Sequence, residues 1–439
     1  MTARSQTSVR GRSSRQFIGW ILLAVLILAA AGELGFRGFR RAVSDLQDFS
    51  IIYSSTRAFE TGRNPYDASA MHAASLEAGH NEPDSSNRKE LAVYLPTTYL
   101  LLSPLALLDW DHARWAWLAI NLIAVGVLLV TVPRFGPGKL PPWKIACATA
   151  FILGFGPIHT AIAKGQPSVV VTAILALALV AESRKAVGPA AMLIGLAACL
   201  KPQMVAPVIL LYFLQRQWKA IAVVAGVTSG LLSIAWLRLA WVGVSWPGSL
   251  LRNVSFEMQP GGVYDSSPTY PLVFQLVNAS ALLHRLTSNQ AAVTIVLAGV
   301  GITVCFFLWK RGQNRFDLLA DPTAFAAACV LGLVLISHRY YDASVLVFVF
   351  VWALRGASDW RRQIGGLISI AGCLVMAFPL PALLISSGHA RAPFAIPQTL
   401  WDAVVIQQQS WVLLVVLVAV TTALIGDPKD ERLRKQVLF

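Results

Sequence analysis

The sequence predicts an all-α polytopic membrane protein of about twelve transmembrane helices, roughly 11 to 13. Three observations carry the prediction. Hydrophobic residues make up 56% of the 439-residue chain and charged residues only 13%, with a mean hydropathy of +0.61, whereas soluble chains carry about 25% charged residues. Apolar runs close to the roughly 20 residues of a spanning helix recur from end to end. Short Lys/Arg clusters punctuate those runs, which is how a cytoplasmic face is written into a membrane sequence.

The first element is a basic tail, 1–16, with Arg4, Arg10, Arg12 and Arg15 and no acid, followed by an apolar run at 17–36. A cleaved signal peptide is the rival reading. Gly32-Glu33-Leu34 followed by Phe36 and Arg37 makes a poor small-residue cleavage site, so a retained first helix with a cytoplasmic N-terminus is expected. A long extracytoplasmic loop, 37–113, comes next. The bundle proper, 114–426, holds crossings near 114–133, 145–163, 167–183, 188–200, 203–215, 220–243, 289–309, 318–337, 341–355, 364–386 and 410–426, before a cytoplasmic tail at 427–439. The basic clusters Arg134 to Lys144, Arg184-Lys185, Arg216 to Lys219, Lys310 to Arg315, Arg355 to Arg362 and Lys429 to Lys435 are separated by even numbers of these crossings, so all share one side. That distribution accounts for the net charge of +14 without nucleic acid. The segment Tyr94 to Leu108, with two prolines, is expected to be re-entrant or interfacial and is left out of the count.

The five cysteines, Cys147, Cys199, Cys305, Cys329 and Cys373, all lie inside apolar runs with no CxxC pair and no nearby His. They read as packing residues, neither disulfides nor metal ligands. No D-x-D, HExxH or Cys/His set stands in an outer loop, so neither a metal nor another cofactor is expected.

Polar residues on the other side of the membrane converge. The first loop holds "SDLQDFSIIYSSTRAFETGRNPYD"; the hairpin tips hold His159, Lys164, Gly165 and Gln166, then Lys201 and Gln203, then "SHRYYD" at Ser337 to Asp342. Ionisable residues that interrupt apolar segments are functional candidates by default. For Lys164 alone, an interfacial anchor is the favoured reading. Lys201 differs because Pro202 follows it directly, leaving two half-helices that meet at a cation, an arrangement tolerated where a cavity is lined. In the first loop, the spacing of Ser44 and Gln47 predicts a capping box and a helix from Asp45 to about Glu60, stopped by Gly62 and Asn64-Pro65. Asp45 and Asp48 then share one stripe, with Leu46, Phe49 and Tyr53 on an apolar one beside it. Asp45 is explained by the helix N-terminus; Asp48 is not.

Asp48-Phe49 with Tyr53, Ala58, Gly62, Asn64, Pro65, Tyr66 and Asp67 resembles the first outer loop of the GT-C integral-membrane glycosyltransferases. The resemblance is to glycosyltransferase family 87, the branch with the polyprenyl-phosphate-mannose-dependent α-mannosyltransferases. "VYLPTTYLLLSPLALL", "KGQPSVVVTAILALAL", "GLAACLKPQMVAPVILLYFLQRQWKA" and "SHRYYDASVLVFV" are similar to four further motifs of that branch, in order, over about 44–355. The resemblance implies a GT-C bundle and an inverting, metal-independent hexosyltransferase acting on the extracytoplasmic face of the bacterial inner membrane. It implies a polyprenyl-phosphate sugar donor, mannose first, and a lipid or glycan acceptor.

Carried over by residue, Asp48 is the expected general base, His338 faces the reaction centre, and Lys201, Arg339 and Lys164 supply charge for the departing phosphate. Arg57 or Arg339 is expected to keep Asp48 ionised. Tyr53, Asn64, Tyr66, Gln166 and Tyr341 complete the expected substrate-binding set. A plain interfacial hydrogen-bonding role remains open for His338, and an aromatic-belt role for Tyr340, Tyr341 and Trp401. The polar insertion at 68–93 does not align with the family, and the loop Asn253 to Leu272 reads as an acceptor pocket or an ordinary connector. A secondary transporter and an outer-face oligosaccharide ligase are the alternatives. The first should show a second broken segment matching Lys201-Pro202 near the midplane; the second should place its acid in a late loop. Oligomeric state is not legible in the sequence.

Overall fold

The computed structural model describes residues 4–80, 91–267, 270, 272–313, 317–356, 359–388, 391–393 and 396–425. The expected tail 427–439, its basic cluster and residues 81–90 of the polar insertion lie outside them. The described chain is helical, with no strand beyond an isolated antiparallel bridge between Leu276 and Arg339. In order, the α-helices are α1 (Arg4–Glu33), α2 (Arg40–Ser44), α3 (Gln47–Glu60), α4 (Ala68–Glu77), α5 (Pro96–Ala106), α6 (Trp110–Thr131), α7 (Pro142–Gly154) and α8 (Gly156–Lys164). There follow α9 (Ser168–Ser183), α10 (Val187–Leu200), α11 (Pro202–Leu214), α12 (Trp218–Trp241), α13 (Trp246–Glu257), α14 (Ala279–Leu286) and α15 (Gln290–Gln313). The last are α16 (Pro322–Leu335), α17 (Leu346–Arg355), α18 (Trp360–Ala377), α19 (Leu380–Ser386), α20 (Gln398–Trp401) and α21 (Gln408–Leu424).

Among the described residues, six helical stretches are long and apolar enough to cross a membrane. A bent pair, Gln398–Ile406 with Gln408–Leu424 at 54°, makes a seventh if it is one span. The all-α polytopic expectation therefore stands, while the expected number of about twelve also counted α9, α10, α11, α16 and the segment 341–355, which holds α17, as crossings. Each of these helices has 16 residues or fewer, short of the roughly 17 to 25 that span a bilayer. They are packed inside the bundle: α16 is buried along nearly its whole length. A Cβ on its Gly332 would lie 2.4 Å from Pro207 Cγ of α11, so the missing side chain is what lets the two helices close.

The bundle has two ends. At one, Arg355 donates to the carbonyls of Pro137 and Gly138 at 2.7 and 3.2 Å, and Gln215 and Arg216 at the end of α11 meet Gly312 and Gln313 at the end of α15. Those are the Lys/Arg-rich turns. At the other end, the starts of α9 and α11 and the end of α16 come together through Ser168, Lys201 and Asp342.

The first-loop helix sits on this second end. The expected capping box does not form. Ser44 closes α2 and donates to the Arg41 carbonyl at 3.1 Å, and α3 begins at Gln47. Leu46, in the left-handed region at φ 40°, turns the chain, with its N–H bound to the Ala163 carbonyl at 3.1 Å. A tertiary hydrogen bond thus takes the place of the local cap. The apolar stripe is as expected: Leu46, Phe49 and Tyr53 are all buried. Phe49 stacks on Trp117 of α6 with ring centroids 5.2 Å apart. The stop is also as expected, with Gly62 at φ 72° and Arg63 N–H returning to the Ala58 carbonyl at 2.8 Å. The segment left out of the count, 94–108, contains α5, an internal helix wedged between α3 and the α10/α11 break. Its Thr97 and Thr98 hydroxyls donate to the Cys199 carbonyl at 2.9 and 3.0 Å, satisfying a carbonyl that the end of α10 leaves without a partner.

Gly165, which ends α8 at φ 72°, is where α3 leans on the bundle: a Cβ there would come within 2.5 Å of Phe49 Cβ and 2.9 Å of Leu46 Cδ2. Gly165→Ala should therefore lower the thermal unfolding midpoint in detergent, at a cost of about 1–3 kcal/mol. Gly188→Ala, where a Cβ meets nothing within 4 Å, should leave the midpoint unchanged or slightly raised.

Candidate active site

The starts of α2 and α3, the end of α8, the turn after α13 and the segment 336–341 enclose a cavity of about 830 Å³. Asp45 and Asp48 stand on one wall. Asp45 does not serve as a helix-terminal charge; it pairs with Lys164 at 2.8 Å, and Lys164 also reaches Gln47 Oε1 at 3.2 Å. The Asp45–Lys164 pair is partly exposed, so it adds little stability.

Asp48 is held differently. The Gln166 side-chain N–H donates to its Oδ2 at 2.6 Å, and Gln166 Oε1 accepts from the Tyr94 hydroxyl at 2.8 Å. An amide that is fixed at both ends orients the carboxylate and leaves Oδ1 without a partner among the described residues. Gly165-Gln166-Pro167 supplies that amide because the left-handed glycine ends α8 and throws Gln166 across toward α3. Trp117 Nε1 locks the same turn by donating to the Gly165 carbonyl at 2.7 Å.

Across the cavity stand Arg339, Tyr341 and Tyr264. The extended segment that carries Arg339 is held by the Val277 N–H, which donates to the His338 carbonyl at 2.9 Å. Among the described residues the Arg339 guanidinium has no hydrogen-bond or ion-pair partner, and its Nε is buried. Burial works against its charge, but neighbouring Tyr341 and Asp48 outweigh that and hold its pKa above the ordinary arginine value. Burial, helped by the Asp342 and Asp48 carboxylates, pushes the Tyr264 phenol up to about 12, so it stands as a neutral hydroxyl.

Lys201 and His338 lie beneath this wall. Lys201 Nζ pairs with Asp342 Oδ1 at 2.6 Å and donates to Ser168 Oγ at 2.9 Å. Ser168 donates to the same Oδ1 at 2.6 Å, and His338 Nδ1–H donates to Oδ2 at 3.1 Å. Lys201, His338 and Asp342 are exposed by 2%, 1% and 3%. Lys201 also sits 4.7 Å from the centroid of the Tyr341 ring. A small pocket of about 60 Å³ touches Lys201 and Asp342 and shares Tyr94, Tyr264, Arg339 and Tyr341 with the large cavity. Lys201 therefore reaches the cavity only through this second layer, with its charge already balanced.

The other expected binding residues, Tyr53, Asn64 and Tyr66, are not in the cavity lining and hydrogen-bond elsewhere. Tyr53 donates to the Leu108 carbonyl at 2.7 Å. Asn64 accepts from Tyr66 N–H at 3.0 Å, and Tyr66 donates to the Tyr94 carbonyl at 2.8 Å. Arg57 donates to the Ala106 carbonyl at the end of α5. Of the residues that sequence reasoning did not assign, Tyr94, Tyr264 and Glu257 line the cavity. Tyr94 opens the Tyr-x-Pro motif, and that position was the available signal; the other two had none beyond an aromatic-rich loop. No group of three or more His, Cys, Asp or Glu side chains among the described residues is placed to hold a metal ion.

Breaking the buried pair separates its structural role from a chemical one. Lys201→Met should cost about 3–5 kcal/mol because Asp342 is left charged and unpaired. Lys201→Met combined with Asp342→Leu should recover most of that loss in thermal unfolding.

Residues 92–338 match glycosyltransferase family 87. The chain is 24% identical over 404 residues to an alpha-(1->3)-arabinofuranosyltransferase of Corynebacterium glutamicum, covering 85% of this chain and 89% of that protein. No solved structure matches the chain.

Proposed function

The chain belongs to glycosyltransferase family 87, and from that premise we propose that it moves a sugar from a polyprenyl-phosphate donor to a hydroxyl of a lipid or cell-envelope glycan. The observation that supports this most is the pairing, in one cavity, of an oriented carboxylate, Asp48, with an unpartnered guanidinium, Arg339. As the acceptor oxygen attacks the anomeric carbon, its proton passes to Asp48. The bond from that carbon to the phosphate oxygen breaks, and its electrons leave with the polyprenyl phosphate, which Arg339 receives. One displacement inverts the anomeric centre. Tyr264 and Tyr94 offer neutral hydroxyls to the sugar, and apolar side chains such as Ile51, Leu272 and Phe274 suit the lipid. Lys201, already neutralised, acts through the placement of Tyr341 and Arg339.

The cavity lies at the end of the bundle away from the basic turns, which supports an extracytoplasmic site. Motif resemblance favoured mannose. The Corynebacterium relative, aligned over most of both chains, carries arabinofuranosyl in its name, so a pentofuranose donor is the first to try.

Asp48→Asn should reduce transfer by about 10²–10⁴-fold, with donor binding retained. The check is label transfer in lipid nanodiscs from polyprenyl-phosphate arabinofuranose and, in parallel, polyprenyl-phosphate mannose to an envelope lipid and glycan extract. Equal transfer by wild type and Asp48→Asn would remove Asp48 from the chemistry, and a product of retained configuration would reject the single displacement.

A further inference from the structure

The cavity continues past the Asp48–Arg339 region, along α8 to the start of α21. His159 and Gln409 line it there. Both are buried, exposed by only 2% and 3%. His159 Nε2–H donates to the Leu153 carbonyl at 2.6 Å, which fixes the proton on Nε2 and leaves Nδ1 a bare acceptor with no partner among the described residues. The Gln409 side chain makes no hydrogen bond to any described residue, and its Oε1 is buried. It belongs to a polar run at the 54° break before α21. There Gln407 also leaves both amide atoms unpaired, and Ser410 its hydroxyl.

Burying an amide without a partner costs about 1–3 kcal/mol. Two residues that line one cavity, on helices far apart in sequence, each carry such an unpartnered atom, which points to a ligand that seats between them and completes both. A bare imidazole nitrogen accepts and an amide both donates and accepts, which is the complement of sugar hydroxyls. Both groups sit outside the phosphate-binding chemistry at Arg339. His159 precedes Lys164, the partner of Asp45, by five residues on α8, a rise of about 7.5 Å. The reacting hydroxyl must lie at Asp48, so a hydroxyl-rich group this far along the cavity belongs to the same molecule as that hydroxyl.

We propose that His159 and Gln409 form a subsite for a sugar unit of the acceptor, remote from the unit that reacts. The proposal rests on the glycosyltransferase reading for its assignment to the acceptor, but not for hydroxyl binding itself.

The test uses the full chain in nanodiscs and two probes, octyl α-D-mannopyranoside and octyl α-D-arabinofuranoside, with octyl phosphate as the contrasting anion. Equilibrium binding of at least one glycoside is expected. Gln409→Leu should weaken it about tenfold, one neutral hydrogen bond's worth, and Gln409→Glu, which keeps the acceptor oxygens, should hold it near the wild-type value. In turnover, Gln409→Leu should raise the acceptor KM and leave the donor KM unchanged. Glycoside binding that depends on Gln409 without any transfer by the wild type would defeat the transferase reading and leave the subsite standing. Equal glycoside affinity in wild type and Gln409→Leu, no glycoside binding at all, or Gln409-dependent binding of octyl phosphate alone would overturn the subsite.

Discussion

One ion pair organises the functional end of this protein. Lys201 sits where α10 breaks into α11 and carries a charge into a region that excludes water; Asp342 answers it at 2.6 Å. A buried carboxylate and ammonium repay their desolvation only if their remaining hydrogen-bonding positions are also filled. Ser168 from α9 and His338 from the segment after α16 fill them. Four parts of the chain, otherwise joined by apolar packing that permits sliding, are thereby held at one level. The cavity wall is built on that level: Arg339 and Tyr341 lie three residues and one residue before Asp342, and Gln166 lies two residues before Ser168. Positioning of the candidate chemistry is a consequence of satisfying one lysine.

The same constraint explains the short helices. α10 and α11 have 14 and 13 residues and stop at Lys201 because an extended residue followed by proline is needed to bring the amine to Asp342. Interrupted helices expose backbone carbonyls, and α5 is the answer to that exposure, with its two threonines on Cys199. The internal helix that the sequence left without a topology is thus required by the break that the sequence displayed openly.

The membrane class, the apolar stripe of α3, its stop at Gly62 and the Lys201-Pro202 break were legible because each depends on local pattern: hydropathy, spacing, or a proline beside a charge. The start of α3 was misread because Leu46 is held by the Ala163 carbonyl, more than a hundred residues away, and no local motif reports that. The number of crossings was not legible, because hydropathy alone does not distinguish a helix buried in protein from one buried in lipid. Tyr53, Asn64 and Tyr66 belong to a recognisable motif, yet their hydrogen bonds all go to backbone or to turn closure, so the motif describes how the first loop folds as much as what it binds. Gln409 gave no signal at all. A run of glutamines at the edge of an apolar segment looks like an interface, and only the fold shows its amide without a partner.

The hydrogen-bonding character of the cavity changes along its length. Near Asp48 and Arg339 the described groups left without a partner include the guanidinium, one Asp48 oxygen and a neutral phenol, so an incoming anion is drawn to Arg339. Near His159 and Gln409 the unengaged groups are an acceptor and an amide, and the neighbouring Arg37 is already paired with Glu33, so hydroxyls are the better match there. A substrate with a phosphate at one position and hydroxyls at the other therefore has a preferred direction in the cavity without any steric gate. That polarity follows from which side chains the fold leaves unsatisfied. For an enzyme that must bring two amphiphilic molecules together head first, unsatisfied groups of opposite character are a sufficient way to tell the two apart.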